Sequence, residues 1–93
     1  MAEYLVELYV SREDSAAVES GAKRARAAAD ELTEAGAPVR YVRAIFVPED
    51  ETCFFLYEAV SAEAVRDAAR RAGLSCDRIT EALGALKGEG ACL

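Results

Sequence analysis

Two runs of β-branched and aromatic residues flank one short acidic stretch in VRYVRAIFVPEDETCFFLYEA, residues Val39–Ala59. Alternating apolar runs on either side of Pro48–Thr52 read as a β-hairpin. The two faces of this hairpin differ, and that difference carries the functional reading. On its first strand, Val42, Ala44 and Phe46 are expected to face the helices, because an arginine is costly beneath them. Tyr41, Arg43 and Ile45 then face away. On its second strand the same register sends Phe54 and Leu56 to the helices and Cys53, Phe55 and Tyr57 to the open side. A slip of one residue would reverse that assignment.

The other segments assemble around the hairpin. Glu3–Val10 alternates as a strand, with Tyr4, Val6, Leu8 and Val10 on one face and Leu5, Glu7 and Tyr9 on the other. Ser11–Asp14 resembles a capping box ahead of a helix over Asp14–Ala35. Val18, Ala22, Ala25, Ala29 and Leu32 form its apolar stripe. The basic cluster Lys23, Arg24 and Arg26 reads as a solvated helix face, with an anion patch as the competing reading. Gly36 and Pro38 end this helix. Ser61 caps a second helix over Ala62–Ala72, with Val65, Ala68, Ala69 and Ala72 as its stripe and Gly73 as its terminator. Arg78–Leu83 reads as a last short strand. The order strand, helix, strand, strand, helix, strand predicts an α+β, ferredoxin-like βαββαβ sandwich, with both helices on one face of a four-stranded antiparallel sheet. Residues 1–85 are expected to form that single domain and 86–93 a loose tail.

Composition narrows the function. The net charge of −6 argues against nucleic acid, whose phosphates call for Lys and Arg. No apolar run approaches the ~20 residues of a membrane span. The start, MAEYLVELYV, lacks the basic and small-residue features of a signal peptide, so a cytoplasmic protein is expected. The three cysteines, Cys53, Cys76 and Cys92, form no CxxC pair. Cys53 reads as a small buried hydrophobe, Cys76 as a loop thiol and Cys92 as part of the tail. The chain has no histidine, which removes the Ser/His and Cys/His nucleophile pairs and the commonest nitrogen ligand for metals.

The expected open face holds Glu7, Tyr9, Tyr41, Arg43, Phe55 and Tyr57 as candidate ligand-binding residues. So much apolar and aromatic surface on one side points to a homodimer, sheet against sheet, with or without a pocket between the sheets. Glu7 interrupts an apolar strand. A carboxylate there needs a partner, with Arg43 the nearest candidate, or else it serves as a metal ligand or general base. Three functions are open. The chain is a non-catalytic module holding a metal ion or small ligand, a cofactor-free enzyme of the dimeric α/β-barrel type using Glu7 and the tyrosines, or a plain interaction module. The thin acid–base repertoire favours a non-enzyme.

The segments YLVELYV, VRYVRAIFVPEDET, LYEAVSAEAVRDAARRAGL and DRITEAL resemble a family of small actinobacterial domains with a nickel-responsive, nickel-binding representative. The resemblance runs from Glu3 to about Leu83. It implies a ferredoxin-like fold, a homodimer and a divalent metal, nickel, with Glu7 at the family's acidic position. Ala68 and Phe55 stand where members often carry a histidine and a cysteine.

Overall fold

The computed structural model describes residues 1–83. The expected tail, residues 86–93 with Cys92, lies outside the described residues. The elements are β1 (Ala2–Tyr9), α1 (Ser15–Glu34), β2 (Val39–Val47), β3 (Thr52–Ala59), α2 (Ala62–Arg71) and β4 (Arg78–Ala82). The strands form one antiparallel sheet in the order β2-β3-β1-β4. The ferredoxin-like α+β sandwich expected from the sequence is the fold observed, and β1 is a central strand.

Each helix begins and ends for local reasons. The Asp14 side chain accepts a hydrogen bond from the Ala17 amide at 3.1 Å and starts α1. The expected capping box at Ser11 is therefore not the cap. Ser11 instead forms a turn, its carbonyl accepting from the Asp14 amide at 2.9 Å. Gly36, at φ +102°, takes the left-handed conformation that ends α1. Thr33 then ties the helix to the sheet: its hydroxyl donates to the Val39 carbonyl at 2.8 Å and accepts from the Val39 amide at 3.1 Å. Ser61 caps α2 through the Ala64 amide at 3.2 Å, and Gly73, at φ +73°, ends it.

The core lies between the helices and one face of the sheet. Tyr4, Val6, Leu8, Cys53, Phe55 and Tyr57 are buried from the sheet side. Ala25, Ala29, Leu32, Val65, Ala68 and Ala69 are buried from the helix side. The small helix stripes let the layers approach closely. At Gly21 a Cβ would stand 3.1 Å from Phe55 Cζ and 3.3 Å from Leu74 Cδ2, so the bare glycine admits the phenyl ring.

The facing expected for β3 is reversed. Residues paired across antiparallel strands point the same way, and Val6 pairs with Phe55, Tyr4 with Tyr57 and Leu8 with Cys53. Because β1 buries Tyr4, Val6 and Leu8, β3 must bury Cys53, Phe55 and Tyr57, leaving Phe54 and Leu56 uncovered. On β2, Ala44 and Phe46 face the helices as expected. The register shifts between Tyr41 and Arg43, leaving Val42 as an extra residue. This bulge resets the alternation, so Tyr41 also lies on the helix side, paired with Tyr57.

Candidate functional site

The uncovered face is built on two adjacent cross-strand rows. One runs Ile45, Phe54, Glu7, Arg78 across β2, β3, β1 and β4; the next runs Arg43, Leu56, Leu5, Thr80. Leu5, Ile45, Phe54 and Leu56 thus make an apolar centre at the middle of the sheet. Glu7 and Leu5 sit half-buried on the central strand. Charged residues surround that centre, with Arg43 at one edge and Arg78 at the other. At the far end Arg40 donates to Glu58 Oε1 at 2.8 Å.

Of the expected site residues, the structure brings Glu7, Tyr9 and Arg43 to this face and removes three. Glu7 lies opposite Arg78 on β4 rather than beside Arg43, which is two strands away. Among the described residues no ion pair joins Glu7 to Arg43. Tyr9 is 61% exposed at the end of β1, its hydroxyl donating to Glu51 Oε2 at 3.4 Å. Tyr41, Phe55 and Tyr57 lie on the other side of the sheet. Tyr41 packs against both rings, with centroids 6.0 Å from Phe55 and 5.9 Å from Tyr57. They form an aromatic core trio, and the reason is the register described above. Phe54, Leu56 and Arg78 are the face residues that the sequence reading missed. Glu58 carried the missing signal: it shares the alternation of Phe54 and Leu56, and a carboxylate belongs on the uncovered side.

Burial governs the protonation of the covered groups. It pushes the Cys53 thiol up to about 11. Burial also raises Tyr57, with Tyr41 and Cys76 adding to the effect. The Tyr57 hydroxyl is fully buried and has no hydrogen-bond partner among the described residues. Burial and Cys53 raise Tyr41, while the Arg26 charge opposes them. Cys76, exposed ahead of β4, is raised chiefly by its partial burial. All four groups are therefore protonated at neutral pH. A cleft of about 370 Å³, with Val10, Val18, Arg24, Phe55 and Leu74 in its wall, opens beside the helices and not on the Glu7 face.

Among the described residues, a four-stranded sheet is covered by two helices on one side and by none on the other, which defines a small ferredoxin-like α+β protein. The chain belongs to the family described as nickel responsive protein SCO4226-like, whose pattern matches residues 4–82. It is similar to the crystal structure of SCO4226 from Streptomyces coelicolor A3(2), with a TM-score of 0.75 and 26% identity, covering 90% of this chain and 100% of that one. No curated protein matches the chain.

The donors among the described residues do not fit nickel. The chain has no histidine. The Cys53 sulfur is sealed in the core as a thiol, whereas metal binding requires the thiolate. Ala68 and Phe55, the two residues at which the sequence departs from the resemblance, are 0% and 1% exposed in the apolar core. Among the described residues no three His, Cys, Asp or Glu side chains converge. Glu7 alone is a single hard oxygen donor, opposite an arginine.

Proposed function

We propose that this chain is a non-catalytic binding protein that works as a homodimer. Two copies pack uncovered face to uncovered face and enclose a small ligand against Glu7. The observation that carries this reading is the apolar centre Leu5, Ile45, Phe54 and Leu56, side by side on the face that neither α1 nor α2 covers. A 93-residue chain gains stability by burying such a surface against a second copy. The rim charges are of both signs, so a two-fold arrangement can set Glu7 or Glu58 against Arg43 or Arg78.

The chemistry of the face favours binding over catalysis. The enzyme reading needed tyrosine hydroxyls around Glu7, and Tyr41 and Tyr57 lie across the sheet from it. What is left around Glu7 is a carboxylate flanked by Leu5 and Phe54, with Arg78 opposite it on β4 and Tyr9 at the strand end. That suits a small apolar molecule carrying an amine or another hydrogen-bond donor. Among the described residues of one copy, the donor set does not suit the nickel to which the family's description refers.

Light scattering during gel filtration tests the dimer: the expected mass is twice the 10.0 kDa of the chain. A monomeric mass at micromolar concentration rejects the reading. Thermal-shift screening of small aromatic amines and of nickel chloride, on the native chain and on Glu7→Gln, tests the occupant. Amines are expected to raise the midpoint of the native chain only. Stabilisation by nickel that Glu7→Gln abolishes would replace the organic ligand with a metal.

A further inference from the structure

The basic run on α1 acquires a second wall in the folded chain. A groove of about 330 Å³ lies between α1 and the edge strand β2, lined by Ala22, Lys23, Arg26, Tyr41, Val42 and Arg43. Three of these six residues are cations and none is an anion, in a chain whose net charge is −6. Among the described residues none of the three is in an ion pair, whereas Arg12, Arg40, Arg70 and Arg71 all are. The paired arginines show that carboxylates are plentiful, so their absence from this groove is a local property. Like charges gathered in a concavity raise the local potential and attract an anion.

The β2 bulge supplies an independent observation. The register shift between Tyr41 and Arg43 falls inside the groove wall. Bulges re-aim side chains and occur beside functional sites. Here the extra residue, Val42, lets the phenol and the guanidinium on either side of it line one groove with Lys23 and Arg26. Arg26 and Tyr41 line this same groove, and the Arg26 charge opposes the rise of the Tyr41 phenol. Tyr41 keeps its proton and is a donor.

We propose that this groove binds a phosphate-bearing small molecule, its anion held by Lys23, Arg26 and Arg43 and its organic part resting on Tyr41 and Val42. The volume is more than one bare phosphate ion fills, which leaves space for that organic part. Arginine and lysine are the side chains suited to phosphate oxygens, arginine through its planar fork and lysine as a point charge. The groove shares Arg43 with the rim of the uncovered face, whereas Lys23 and Arg26 belong to α1, so substitutions at those two residues test the site apart from the dimer and from Glu7.

Inorganic phosphate is the probe, followed by amide chemical shifts at low ionic strength, because exposed charges are screened beyond ~10 Å at 0.1 M salt. Saturable shifts are expected at residues 22–26 and 41–43, with acetate at equal ionic strength producing none. Lys23→Ala and Arg26→Ala are each expected to weaken binding roughly tenfold, the loss of one charge-assisted hydrogen bond. The control is Arg66→Ala with Arg70→Ala, exposed cations of α2, which should leave the titration unchanged. Both substituted residues of the groove, Lys23 and Arg26, are exposed, and an unchanged thermal midpoint shows that the variants fold. Shifts that never saturate, or that weaken equally in the α2 variant, mean an adventitious ion only and overturn the proposal.

Discussion

The two faces of the sheet are made from similar residues and do opposite things. On β3, Phe55 and Tyr57 are sealed beneath the helices, while Phe54 and Leu56, one position away, are left half-buried and uncovered. Apolar character alone therefore does not say which side of a strand is core. What separates the faces is the company each keeps. Cys53, Phe55, Tyr57 and Ala59 share their alternation with no charge, while Phe54 and Leu56 share theirs with Glu58 and sit beside Glu7. The covered face forms the core of one chain, and the uncovered face is the one proposed for association.

The sharpest way to break this contrast is to truncate neighbouring aromatics on opposite sides. Phe55→Ala should cost ~3–5 kcal/mol through lost burial and the cavity left behind, enough to unfold much of so small a domain. Phe54→Ala should cost the folded chain ~1 kcal/mol or less and instead raise the dimer dissociation constant. Urea unfolding and light scattering of both variants decide it. Equal losses of stability at a concentration where the chain is monomeric would mean that both faces of the sheet are buried within one chain.

Next in size is the interlayer spacing. Gly21→Ala places a methyl 3.1 Å from Phe55 Cζ; overpacking of ~1–3 kcal/mol is set against the ~1 kcal/mol that alanine gains over glycine inside a helix, so a net loss of up to ~2 kcal/mol is expected. A neutral result would show that α1 can retreat from the sheet. Ser61→Ala removes the cap of α2 and should cost ~1 kcal/mol, seen in the urea midpoint.

Alkaline pH separates the faces by chemistry. Cys53 rises from 9.0 to about 11 in the folded chain, so its neutral form is favoured by folding. That contribution is complete below pH 9 and is lost as pH climbs from 9 towards 11. The native chain should lose stability across this window, and Cys53→Ala should lose less. At pH 8, alkylation with mass-spectrometric mapping should modify Cys76 and spare Cys53, since only the former is exposed. Smallest of all is the rim: Arg40→Ala removes a solvent-exposed ion pair to Glu58 and should change monomer stability by under ~1 kcal/mol.

Much of the fold was legible because independent local signals agreed. Ser61 and Gly73 bound α2, Gly36 bounds α1, and Tyr4, Val6 and Leu8 mark the buried side of β1. The site was less legible, for two physical reasons. Strand β3 is apolar on both sides, so its alternation fits either orientation until Glu58 is weighed. The Val42 bulge is invisible to any period-2 pattern, and it moved Tyr41 beneath the helices. Asp14 displaced Ser11 as the α1 cap because its carboxylate reaches the Ala17 amide. The partner of Glu7 could not be read from the sequence, because Arg78 lies 71 positions away along the chain and reaches it only through the pairing of β1 with β4.

Glu51 ends the turn at the hairpin tip with a left-handed backbone, φ 50°. Its carbonyl accepts from the Val10 amide at 3.1 Å, and its carboxylate accepts from the Arg12 amide at 3.0 Å. One residue thus fastens the exit of the first strand to the tip of a ribbon some forty residues later. Fraying at that corner must release both segments at once. Proton exchange at Val10 and Arg12 would then keep a common clock, even though neither amide belongs to a regular ladder.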